Sequence, residues 1–437
     1  MGWIYRKIIL PGLLAVLRIP MRNAFDSCVK LNQLTESQLK SYQLRRLKSL
    51  IKKSDLFSNE IIDKVEESKS ISEALENLPV ITKSDLRKWS QNKGLMKSVV
   101  IRETAGTTGT PMSFQYTKSN IAHQLAVRAY CLSKLGIKYG EREARLWGRR
   151  DNSIKSKLRD FILNRMVFNF IDGDSKSLAK KLIFYKPAYI YGYSSIVLAA
   201  AKYFDLANIK PPKIKAVICT AESLQGFQQD YIARVFSCPV VMEYGCTEVD
   251  IIAFQCEKRH YHLVNPWLIV EVEKGETIVT DLNQDIMPII RYKVGDNIVF
   301  EKWSGGCGYG EREEVVTKVK GRSLNQKVYL PDGGYRHAVI FAYVAEDLYR
   351  NLPFFTQFLV VQVSINDFRF YLEAAKELDE SEKLLVSSEI KELYKKYAGY
   401  SAKFEVVYSL PDRIGRGSKF DYFYSELSDK DFVGAVI

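Results

Sequence analysis

Between residues 120 and 244 the chain alternates helix-like and strand-like segments at short spacing, a pattern that few architectures accommodate. Helical periodicity predicts helices over 120–135, 155–168, 177–185, 195–204 and 225–236. Short apolar or β-branched runs predict strands over 144–148, 188–191, 215–220 and 240–244. Repeated strand–helix–strand units build a mainly parallel sheet with helices on its faces. Polar residues on such a sheet become functional where strands end, because ligands settle beyond the carboxyl edge. Thr104, Ala221 and Gly245 all follow such ends.

Upstream, Thr35 and Gln38 have capping-box spacing at the start of a helix carrying Leu44, Leu47, Leu50 and Ile51. A helix is expected over 84–95, then a short strand over 98–102 that runs into the turn T-A-G-T-T-G-T-P at 104–111. A strand followed by a Gly-rich turn is the context that an anion-binding loop requires. Downstream, β runs at 268–272, 277–280 and 297–300 predict a small β subdomain. Beyond Gly321 the order strand (357–365), strand (368–373), helix (381–396), strand (403–408) predicts a compact α+β domain.

With 437 residues the chain exceeds what one hydrophobic core usually organises. The expected fold is therefore α/β: a large N-terminal domain (1–320) of parallel sheets flanked by helices with a small β subdomain, and a small mobile α+β domain (321–437). Seven scattered cysteines without a C-x-x-C pair argue against a disulfide framework and for a reducing, cytoplasmic compartment. The net charge of +13 is spread along the chain and no nucleic-acid-binding motif accompanies it, so a basic solvated surface is expected and no nucleic-acid partner.

Residues 1–34 form a basic, apolar opening segment. Arg6 and Lys7 precede an apolar run over 8–19 that is broken by Pro11, Gly12 and Arg18. The run is shorter than the ~20 residues a bilayer core demands and has no small-residue cleavage site. No transmembrane helix is expected anywhere. The bases allow a loose peripheral contact with the inner face of a membrane, although packing on the protein itself is the commoner fate of such a helix.

Four further polar clusters follow the Gly/Thr turn: T-A-E-S at 220–223, E-Y-G-C-T-E at 243–248, T-D-L at 280–282, and M-P-I-I-R-Y-K-V-G-D at 287–296, with G-R at 321–322. In this order they resemble the adenylate-forming superfamily, and within it the phenylacetate-CoA ligase-like branch that includes CapK-type capsular polysaccharide biosynthesis proteins. The segments P-A-Y-I-Y-G-Y-S-S at 187–195 and Gln255-Cys256 to Tyr261-His262 are also similar to that branch. The resemblance spans roughly residues 35–425.

The resemblance implies ATP-dependent activation of a carboxylate as an acyl-adenylate, then transfer to CoA or to an amine, in capsular or surface polysaccharide biosynthesis. Charge must be spread over phosphates, carboxylate and departing pyrophosphate, which explains the residue types. By resemblance, Thr104, Gly106, Thr107, Thr108 and Gly109 would hold the β- and γ-phosphates, and Glu248 would bind Mg²⁺. Thr247 would donate to the α-phosphate. Ala221, Glu222, Tyr244 and Gly245 would line the adenine slot, Asp296 would accept from the ribose hydroxyls and Arg322 would approach from the hinge. Lys419, in S-K-F where relatives carry G-K-F, would be the catalytic cation, with Arg416 as the other candidate.

Cys256, His262 and Cys307 resemble part of a zinc site found in some relatives. Its second late thiolate is replaced here by Tyr309, so three ligands remain where structural Zn²⁺ normally takes four, and zinc is not expected. Ala105 replaces a hydroxyl residue common in the loop, and Asn325 stands where relatives usually carry Asp. Asn325 and the basic N-terminus keep an alternative open: a catalytically silent scaffold or binding protein of a polysaccharide-synthesising complex on the same fold.

Overall fold

The computed structural model describes residues 2–93, 100–103, 112–148, 153–169, 175–221, 224, 226–284, 286–302, 306–307, 314–320, 327–332, 334–352, 355–374, 377–409 and 423–427. Its largest sheet has nine strands, in the spatial order Asn297–Lys302, Glu314–Lys320, Tyr261–His262, Asp250–Gln255, Val240–Cys246, Val217–Thr220, Tyr189–Tyr193, Glu143–Trp147 and Arg165–Asn169. Adjacent strands among the last five run parallel, and the remaining pairs are antiparallel. The expected parallel core is therefore present, with an antiparallel extension on one side.

Two local readings differ from the sequence expectation. The single helix expected over 155–168 is a helix, Ile154–Ile162, followed by an edge strand, Arg165–Asn169. Asn164, at φ 49°, turns the chain in the left-handed region that Asn tolerates, and that ends the helix. The small β subdomain is a three-stranded sheet of Leu268–Glu273, Glu276–Asp281 and Tyr292–Lys293. The neighbouring run at Asn297–Lys302 instead pairs with Glu314–Lys320 at the edge of the large sheet.

Buried Tyr189, Tyr191, Ile218 and Val241 meet Ala122, Ala126 and Tyr130 of the helix Lys118–Lys134 in one core. That helix begins with a capping box, Thr117 with Asn120, and the helix Glu36–Lys53 begins with the expected Thr35–Gln38 box. Near the C-terminus a four-stranded sheet has the order Lys403–Val407, Asp367–Ala374, Phe355–Gln362, Phe423–Ser425. Its helix, Glu380–Ala398, is capped by Asp379 at one end and by Gly399, at φ 79°, at the other. Phe341, Phe368, Tyr394 and Phe423 fill the space between the sheet and the helices Val339–Asn351 and Glu380–Ala398. Tyr343 of the first of these helices meets Tyr193 of the parallel sheet, hydroxyl to hydroxyl, at 2.7 Å.

Gly192 sits in the middle of the parallel sheet, tight against the adjacent strand. A Cβ there would lie 2.6 Å from the carbonyl oxygen of Leu146 on the adjacent strand, and backbone cannot rotate away as a side chain can. Gly192→Ala is expected to destabilise the protein by about 1–3 kcal/mol, as overpacking in a tight core does. Urea unfolding of both proteins checks this.

Candidate functional site

The site is organised by a tight reversal at the carboxyl end of the Val240–Cys246 strand. The chain bulges between Tyr244 and Gly245, turns through Thr247 and Glu248, and returns along Asp250–Gln255. A Cβ on Gly245 would sit 2.1 Å from the carbonyl oxygen of Asp250, so only glycine permits the two arms to approach. Asp250 has φ 62°.

Two tyrosines absent from the sequence-derived site hold the turn. The Tyr116 hydroxyl donates toward the carbonyls of Thr247 (2.7 Å) and Glu248 (3.1 Å). The Tyr292 hydroxyl donates to Oε1 of Glu248 at 3.1 Å. Glu248 is buried. Burial, and then the Glu248 carboxylate, push the Cys246 thiol well above its usual pKa, so it remains a neutral thiol. Tyr292 lies in the 287–296 motif, where its spacing gives a signal; Tyr116 had none beyond ending an apolar strand.

Tyr244 and Asp296 come together. The Tyr244 hydroxyl approaches Oδ2 of Asp296 at 3.4 Å, while the Asp296 carbonyl accepts from the Thr277 amide at 2.8 Å. Burial, followed by the Asp296 charge, keeps Tyr244 protonated. Ala221, exposed and at φ 67°, ends the strand next to the one that carries Tyr244. Thus Ala221, Tyr244, Gly245, Thr247, Glu248 and Asp296 collect around one sheet edge. Thr104, Gly106, Thr107, Thr108, Gly109, Glu222, Arg322 and Lys419 lie outside the described residues, as do Arg416, Asn325 and Ala105.

Behind the turn is a network of buried charge. Arg128 of the helix Lys118–Lys134 pairs with Glu243 (3.0 Å) and with Asp250 (3.2 Å), and its guanidinium lies 5.0 Å from the centre of the Tyr191 ring. Tyr191 donates to the same Glu243 at 2.6 Å. Arg145 covers the other side of this group, 4.5 Å from the Tyr191 ring and 2.6 Å from Glu143. Burial raises the Glu143 pKa, but Arg145 and Arg165 outweigh it with help from the Tyr189 hydroxyl, leaving the carboxyl below its ordinary range. Trp147 and Tyr193 are in ring contact, with centroids 4.1 Å apart.

The zinc candidates separate. Sγ of Cys256, a ring nitrogen of His260 and Sγ of Cys307 lie within 4.8 Å of one another, so His260 rather than His262 joins the two cysteines. The turn from Cys256 to His260, closed by the Cys256 amide on the His260 carbonyl (2.8 Å), causes this exchange. His262 occupies the next strand, where burial and then His260 push its pKa down to about 4. Among the described residues the group supplies three ligands, and Tyr309 lies outside them.

No protein-family model matches the chain. It is 26% identical over 316 residues to Protein CapK of Staphylococcus aureus, a match covering 65% of this chain and 68% of that one. A 2-hydroxyisobutyryl-CoA ligase, solved with 2-HIB-AMP and CoA in the thioesterification state, superposes with a TM-score of 0.59 at 17% identity over 90% of this chain and 91% of its own. An open conformation of that ligase gives 0.54 at 16% identity over 90% and 92%. The chain shares the fold of that CoA ligase.

Arg128→Met would leave Glu243 buried without its cation. Breaking a buried pair in this way costs roughly 3–5 kcal/mol. Denaturant unfolding is expected to show a loss of that order, with a smaller loss for Arg128→Lys, which retains charge but not the two-carboxylate fork.

Proposed function

We propose that this protein activates a carboxylate with ATP and transfers the acyl group to CoA or to an amine. The observation that carries this reading is the joint placement of the buried Glu248 carboxylate and the Tyr244–Asp296 pair at one sheet edge. A carboxylate suits Mg²⁺, which prefers oxygen donors, and a short acidic acceptor beside an aromatic ring suits a ribose and its base. Magnesium held by Glu248 would neutralise phosphate charge.

In the first half-reaction a substrate carboxylate oxygen attacks the α-phosphorus of ATP, and the bond to pyrophosphate breaks. Thr247 would donate to the α-phosphate. The turn at 104–111, through Thr104, Thr107, Thr108 and the backbone freed by Gly106 and Gly109, would hold the departing phosphates. Glu222 and Ala221 would line the base, and Arg322 would approach from the hinge. Lys419 would bring positive charge to the reacting centre from a separate domain of residues 321–437. In the second half-reaction a thiol or amine attacks the acyl carbon and AMP leaves.

Similarity to CapK supports a role in surface polysaccharide synthesis, with the acceptor on or near a sugar. ATP and CoA are available on the cytoplasmic side, and the basic, apolar N-terminus offers a means of resting on the inner membrane face.

Carboxylate-dependent exchange of labelled pyrophosphate into ATP tests the first half-reaction. Glu248→Ala and Lys419→Ala are each expected to lower exchange by about 10²-fold or more, the scale of losing one charge-stabilising group. Thr107→Ala and Thr108→Ala should each reduce it more than Ala105→Ser changes it. ATP binding without exchange across a broad carboxylate panel would reject the ligase reading in favour of a silent binding protein.

A further inference from the structure

The helix Ile154–Ile162 is built inside out. Its apolar residues Ile154, Leu158 and Phe161 recur at one-face spacing, yet they are 84%, 53% and 59% exposed, while Ser156 is buried. An amphipathic helix of a soluble domain normally turns that stripe inward. The N-terminal segment repeats the anomaly: Trp3, Ile4, Ile8 and Val16 are 61%, 50%, 60% and 81% exposed, whereas Leu10 and Leu14 anchor the segment to the protein.

These segments meet. The Tyr5 ring stands edge-on to Phe161 with centroids 6.4 Å apart, and its hydroxyl is directed at the carbonyls of Phe161 and Ile162. Ile162 shares a small core with Leu10 and Leu14. Exposed apolar side chains therefore flank a fixed joint between two helical segments, a larger arrangement than scattered surface residues.

The charge on both segments is predominantly of one sign. Residues 2–25 contain Arg6, Lys7, Arg18 and Arg22 but no acid, and residues 154–159 contain Lys155, Lys157 and Arg159 but no acid. Arg6 is engaged by Glu141 at 3.1 Å, and Asp160, the next acid, by Arg165 at 2.6 Å. Apolar side chains set among bases, with a tryptophan at the end, match the boundary between acyl chains and anionic headgroups. Crossing the bilayer is a different matter. No single described helix is long and apolar enough; the N-terminal pair, Tyr5–Val16 with Met21–Asn32, reaches that length and apolarity only taken together, across a 108° bend.

We propose that the N-terminal helical segment and the helix Ile154–Ile162 together form a docking face for an anionic phospholipid surface. The inference deepens the peripheral placement proposed above and does not depend on the ligase reading.

The test uses the full chain and vesicles of phosphatidylcholine with or without phosphatidylglycerol, sedimented at low and high salt. Wild type is expected to bind the phosphatidylglycerol vesicles and to release them as salt rises. The triple change Ile154→Ser, Leu158→Ser, Phe161→Ser and the separate pair Lys155→Glu, Lys157→Glu should each lower the vesicle partition coefficient by at least about tenfold. Circular dichroism should be unchanged for both variants, and the melting temperature unchanged for the lysine pair, whose side chains are exposed; the triple change gives up only the Tyr5–Phe161 ring contact and should keep the fold. Absence of wild-type binding, equal binding to neutral vesicles, or full binding by both variants would overturn the proposal. So would self-association in the absence of vesicle binding, if the triple change abolishes it: the face would then belong to a second copy of the chain. Pyrophosphate exchange reports on the ligase reading separately.

Discussion

One guanidinium determines how the sheet edge is presented. Arg128 bridges Glu243 and Asp250, residues on the two arms of the reversal that carries Thr247 and Glu248. Removing these charges from water is costly, and the compensation lies in the fork geometry, the Tyr191 face and the Tyr191 hydroxyl on Glu243. Such a network stabilises one arrangement of the two arms and penalises slippage. A one-residue shift would separate the guanidinium from at least one carboxylate and drive a Cβ-free approach at Gly245 onto a residue that has a Cβ.

The same economy of position explains the tyrosines. Tyr116 and Tyr292 reach the turn from different β elements, one directed at backbone carbonyls and the other at the Glu248 side chain. A buried hydroxyl without a partner would be unfavourable, so each requires the turn as much as the turn requires it. Orientation is thereby set before any substrate arrives, which is the condition under which a fixed carboxylate assists charge separation.

The parallel core was legible because periodicity and strand-end polarity are local properties, and the order of motifs led to Tyr244, Glu248 and Asp296. The supporting residues were less visible. Arg128 sits on a helix whose sequence reads as an ordinary buried face, and its partners are more than a hundred residues away. The edge strand Arg165–Asn169 was hidden by apolar residues that continue the preceding helical period; only Leu163 and the left-handed Asn164 separate the two elements. At the cysteine group, the family resemblance pointed to His262. The hairpin decided otherwise: His260 lies in the turn that follows Cys256 and stays near both thiols, whereas His262 has already entered the next strand.

The N-terminal segment connects these two scales. Packing fixes it through Leu10, Leu14 and Tyr5, but the packing covers only one side and leaves Trp3, Ile8 and Val16 in water. Completing the fold would normally mean turning such residues inward, at a gain near 25 cal/mol for each Å² of apolar surface removed from solvent. Here the bent geometry and the outward stripe of Ile154–Ile162 forgo that gain on both sides of the same joint. A surface that retains this unfavourable exposure, and sets it mainly among bases, is one whose burial would be completed by something outside the chain.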